Sequence, residues 1–103
     1  MSTLCLQIFV SESSHHNGKL TYEWLLDSAQ QLGISGGSAF RALAGYGRHG
    51  RHDIGFFELA GELPVVVEFL VEAALAEQLL QAVAQAELKL VYAKWPADIG
   101  ITS

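Results

Sequence analysis

The sequence predicts an α+β domain: one four-stranded antiparallel sheet with two helices on one face. Three observations predict it. Three segments carry strand signals, as apolar alternation at a period of two or as a β-branched run. Two others repeat apolar residues at spacings of three and four. With one further segment read as a strand, the order is β-α-β-β-α-β, and one sheet with both helices on one side is its economical packing. At 103 residues, with no linker or low-complexity tract, the chain is expected to form a single domain spanning 1–103.

Leu4, Leu6, Ile8 and Val10 alternate with Cys5, Gln7 and Phe9, which marks the first strand. Apolar residues on its second face as well predict a central position. Ser11 to Gly18 (SESSHHNG) is polar and turn-rich, hence a loop. Thr21 is placed to N-cap a helix running to about Leu32, which Gly33 would end. Tyr22, Leu25, Ala29 and Leu32 would form its apolar face. Ser35 to Tyr46 (SGGSAFRALAGY) has small residues that permit either state; its position after a helix and a glycine turn predicts the second strand. Val65 to Val67 with Phe69 and Val71 marks the third, inside Glu58–Val71. Pro64 must stand at its start or on an edge, because it cannot donate to a ladder. Glu72 to Glu87 reads as an amphipathic helix with Leu75, Leu79 and Val83 in its stripe. Leu88, Leu90 and Tyr92 predict a last strand that Pro96 ends.

Half of the residues are hydrophobic, and mean hydropathy is +0.27. That is rich for a small monomer. Helices on one face would leave the other bare, so a homo-oligomer is expected. The net charge of -5 argues against a nucleic-acid binder, which would be basic. Cys5 is the only cysteine, so no intrachain disulfide forms. With no signal-peptide pattern and no membrane-length apolar run, a cytoplasmic protein is expected.

Charge is distributed unevenly. Of six lysines and arginines, Arg41, Arg48 and Arg51 lie within eleven positions, and no acid occurs between Asp27 and Asp53. Gly45, Gly47 and Gly50 share this segment with His49 and His52. Glycines let backbone N–H groups line a concave anion site, and arginines add bidentate contacts to phosphate or carboxylate. The same composition also suits a solvated loop kept soluble by its arginines, and the residues alone leave both readings open. Gly45 to Gly50 matches GxGxxG literally, but it does not follow a first strand or open a helix, so a dinucleotide fold is rejected.

The His49/His52 and His15/His16 pairs lack the converging third ligand that a metal site requires. No cofactor is expected. No nucleophile–base–orienter set and no GxSxG elbow occur, so an enzyme using His49 or His52 as a base ranks last. Trp24 and Trp95 are expected to pack. Glu68 is conspicuous as a carboxylate inside an apolar strand.

The stretch from SESSHHNGKLTYEW through GISGGSAFRALAGYGRHGRH, followed by ELPVVVE, resembles the bacterial PII-like family known as domain of unknown function 190. The likeness covers Leu4 to Glu68. It implies a ferredoxin-like βαββαβ sandwich of the PII type, assembled as a homotrimer, and supports the strand reading of 35–46. It further implies ligand binding in clefts between subunits, at the base of the loop joining the second and third strands. Arg41, Gly45, Gly47 and His49 match the family pattern, and Arg48, Arg51 and Lys89 lie where they could join them as ligand-binding residues. The stretch Ala86–Lys89 lacks the glycine of the phosphate loop of PII signalling proteins proper, so their ATP and 2-oxoglutarate chemistry is not transferred. The expected protein is a non-catalytic sensor of a small anionic ligand, such as an adenine nucleotide, acting on a protein partner such as a transporter or enzyme. The alternative is a divalent-metal-binding trimer resembling CutA that uses His15, His16, His49 and His52.

Overall fold

The computed structural model describes residues 2–45 and 64–103. The elements are β1 (Thr3–Ser11), β2 (His15–His16), β3 (Lys19–Leu20), α1 (Thr21–Gln31), β4 (Gly37–Arg41), β5 (Pro64–Glu72), α2 (Ala73–Gln85) and β6 (Val91–Pro96). β4, β5, β1 and β6 form one antiparallel sheet in that order, and β2 and β3 pair as a small separate hairpin. Among the described residues no helix is long and apolar enough to cross a membrane.

β1 is central, as its two-sided apolar pattern predicts. Its register pairs Leu6 with Phe69, Ile8 with Val67 and Val10 with Val65. These six residues turn to the helices and are almost wholly buried with Leu25 and Ala29 of α1 and Ala76, Leu79 and Val83 of α2. Pro64 opens β5, the place its missing N–H allows.

Several boundaries shift. Helix α1 begins at Thr21 with Leu20 as N-cap and no side-chain cap bond, so Thr21 is the first helical residue rather than the cap. Its buried position, with its backbone N–H donating to Ser14 O at 2.8 Å, replaces capping. The second strand covers only Gly37–Arg41 of the expected 35–46, although the Ala42 N–H still donates to Pro64 O. The last strand starts at Val91 rather than Leu88, because Leu88 closes α2: its N–H donates to Val83 O while Glu87 takes a left-handed φ of 60°. Both helices end this way. In α1, Gly33 at φ 93° donates to Gln30 O and Ile34 to Ala29 O, a two-bond closure sealed by the buried Ile34.

Across the sheet from the helices the faces differ. Phe40, Leu70 and Trp95 stand on the open face at 54%, 49% and 44% exposure. Trp95, expected to pack, is thus half-exposed within one chain, while Trp24 packs against the core and meets His16 edge-on at 4.9 Å. At the centre of this face the Gln7 Nε2 donates to Glu68 Oε1 at 2.8 Å, which gives the conspicuous carboxylate a cross-strand partner.

Candidate anion site at one end of the sheet

The connection between β4 and β5 leaves and returns at one place. Arg41 lies opposite Val65, and Ala42 is bonded to Pro64 one step further on. Arg41 therefore stands at the mouth of that connection. Strand alternation sets its side chain on the helix side, because its partner Val65 faces the core.

There the Arg41 guanidinium meets Glu12, with Nη2 donating to Oε2. Glu12 belongs to the turn that follows β1. That turn is braced by the Ser14 N–H and hydroxyl, both on Ser11 O, and by Thr21 on Ser14 O. The hydrogen bond and charge of Glu12 hold the guanidinium above even its ordinary high pKa. Further round the hairpin, Lys19 Nζ bridges to Asp27 Oδ2 at 2.7 Å, and the bond likewise raises the lysine's pKa. The 11–20 segment is thereby tied to both α1 and β4. Sequence reading missed Glu12. It is the acid of the SESSHH loop, but nothing local connects it with a residue 29 positions away.

Gly45 is exposed, four residues beyond Arg41. Gly47, Arg48, His49 and Arg51 lie outside the described residues, as does His52. Lys89 is exposed just before β6. Since Val91 pairs with Phe9, and Val10 pairs with Val65, Lys89 and Arg41 share one end of the sheet. They do so at opposite edges. Three strand spacings of about 4.8 Å put those edges roughly 14 Å apart. The Arg41 guanidinium is turned to Glu12, at the β4 edge.

His15 and His16 sit on the β2–β3 hairpin, and among the described residues no group of three His, Cys, Asp or Glu side chains is placed to hold a metal. Cys5 is buried on the open face, opposite Leu70 on one side and Trp95 on the other; burial first, and Glu68 second, push its thiol pKa up.

Comparison with known proteins bears on the family and the fold. The model of the DUF190 family, described as an uncharacterized ACR, matches residues 3–91 and so reaches past the motif-bearing half to the start of β6. A UPF0166 protein of Aquifex aeolicus (strain VF5) is 38% identical over 81 residues, covering 76% of this chain and 75% of the relative. The UPF0166 protein MJ1524 of Methanocaldococcus jannaschii is 32% identical over 63 residues, 61% of this chain and 58% of its own. Among solved structures, CPII from Thiomonas intermedia K12, a nitrogen regulatory PII-like protein bound to ADP, AMP and bicarbonate, matches all of this chain and 98% of its own at TM-score 0.65 and 17% identity. CPII bound to ADP and bicarbonate matches 98% of this chain and 91% of its own at TM-score 0.66 and 18% identity. The fold is the PII-like, ferredoxin-like sandwich that the resemblance implied.

Proposed function

This chain belongs to the DUF190 family, and we propose that it is a non-catalytic PII-like regulator that binds a small anionic ligand, an adenine nucleotide, in clefts between subunits near the 45–54 segment. The observation that carries this reading is the position of Arg41. An exposed guanidinium stands at the mouth of the β4–β5 connection, in a fold shared with a protein solved with ADP and AMP. Guanidinium groups suit phosphates because they offer paired donors in a fixed plane. Gly45 would allow close backbone approach beside it. Gly47, Arg48, His49 and Arg51 are the further contacts we assign.

Arg41 and Lys89 stand at opposite edges of the sheet, so a site between subunits would let a neighbouring copy contribute Lys89. A homotrimer would also cover Phe40, Leu70 and Trp95, which one chain leaves half-exposed. Ligand occupancy would then change the surface offered to a protein partner in the cytoplasm, a transporter or enzyme.

The test is a thermal-shift titration with ADP and AMP on protein whose mass is measured by sedimentation. A rise in Tm with ADP that Arg41→Ala abolishes supports the reading. An ADP response that survives Arg41→Ala removes Arg41 from the site. No response of the unaltered protein to either nucleotide overturns the proposal.

A further inference from the structure

Arg41 is not waiting with a bare charge. Its guanidinium is matched by Glu12, and both groups are accessible, with side-chain exposures of 65% and 35%. We propose that Glu12 is an internal counter-ion, holding the place of the ligand's anionic group and displaced by it, so that occupancy of Arg41 is exchanged for freedom of the Ser11–Leu20 turn. This rests on the reading that Arg41 binds an anion.

The strength and placement of the pair support exchange. An exposed ion pair changes an equilibrium by at most about fivefold, because water screens it and two long side chains lose freedom in making it. A phosphate group offers more charge and several acceptor oxygens to the same fork of donors, so it wins the competition without unfolding anything. Glu12 is held near Arg41 by the braced turn rather than by burial, so it can withdraw into water when displaced. Anionic character also becomes a threshold for ligands. A neutral nucleoside cannot replace the carboxylate, whereas a nucleoside diphosphate can.

The consequence for the turn is specific. Glu12 ties it to the end of β4, and Lys19 ties the hairpin to α1 through Asp27. Displacing Glu12 releases the first tie and leaves the second. A signal at the ligand site is thereby passed to a surface on a different part of the chain, through one carboxylate.

The experiment titrates ADP by calorimetry, at low and fixed ionic strength, into the unaltered protein, Glu12→Gln, Arg41→Ala and the double variant. Glu12 is partly exposed, so its replacement leaves the fold intact. Glu12→Gln is expected to tighten ADP two- to fivefold, and that gain should vanish when Arg41 is alanine. A gain of equal size in both backgrounds would show general repulsion by Glu12 instead of competition, and would overturn the proposal; unchanged or weaker binding by Glu12→Gln would do the same. Hydrogen exchange in the unaltered protein decides independently if binding to the Arg41→Ala forms is too weak to titrate. The amides of Ser14 and Thr21, bonded within the turn, should exchange faster with saturating ADP, and unchanged or slower exchange rejects the exchange of partners. If ADP binds and Arg41→Ala abolishes it while Glu12→Gln has no effect, the anion site stands and the counter-ion role falls. If ADP binds none of the four proteins, both fall.

Discussion

The two faces of the sheet are built from the same strands and have opposite circumstances. On the helix side Leu6, Ile8, Val67 and Phe69 are almost fully buried beneath α1 and α2. On the open side Phe40, Leu70 and Trp95 remain half in water, with Cys5 buried between two of them and the Gln7–Glu68 pair at the centre. The first face holds the protomer together. The second leaves large apolar side chains half-exposed around a polar pair. Adjacent residues of one strand, such as Phe69 and Leu70, should therefore differ in what their loss changes.

The largest effect is expected for Phe69→Ala, which leaves a cavity in the closed face. Losses for such truncations are about 3–5 kcal/mol, readable by urea denaturation. A loss under about 1 kcal/mol would show that the helix-side core is not the stabilising face. Gly37→Ala comes next. A methyl at Gly37 would lie 2.5 Å from Phe69 Cε1, 2.7 Å from its Cδ1 and 3.1 Å from Leu26 Cδ2. The ring is buried and cannot swing out, so overpacking should cost about 1–3 kcal/mol in the same assay.

The open face should respond differently. Leu70→Ala removes a half-exposed side chain, and its cost to the protomer is expected to be about 1 kcal/mol. Its larger effect should be on association: sedimentation should show a lower mass at a given concentration. An unchanged mass would argue that this face is not covered by another copy.

The smallest effect concerns Cys5. Burial raises its thiol pKa in the folded chain, so the fold favours the neutral thiol. That stability is fully present below the unfolded thiol's pKa of about 8.5 and is lost as pH rises through the folded value. The unaltered protein should lose stability between pH 7.5 and pH 9.5 (taken as rough bounds around that value) more steeply than Cys5→Ala. Parallel curves would mean that the thiol ionises in the fold as easily as in the unfolded chain.

Much of this fold was readable from local signals. The alternation in β1, the valine run of β5 and the apolar stripes of both helices depend only on near neighbours, and each led to the right element. Boundaries were less legible where neighbouring elements compete for the same residue. Leu88 looks like strand by alternation, yet its amide is taken by the closing turn of α2. The hairpin of β2 and β3 was hidden in a polar loop because two-residue strands have no periodicity to read.

The candidate site divides in the same way. Arg41 was legible because an excess of basic charge over a short stretch is a property of the sequence itself. Its partner was not. No acid lies within eleven residues of Arg41 in the chain, and the carboxylate that meets it comes from the far side of α1. Composition and periodicity determined both helices, three of the four strands of the main sheet, the burial of one sheet face and the location of the basic segment, because these follow from each residue's own chemistry and its neighbours two to four positions away. Only the tertiary structure decided that Glu12 balances Arg41 and that Lys89 stands at the opposite edge, since both depend on strand order and register, which bring together or hold apart residues that the chain itself does not relate.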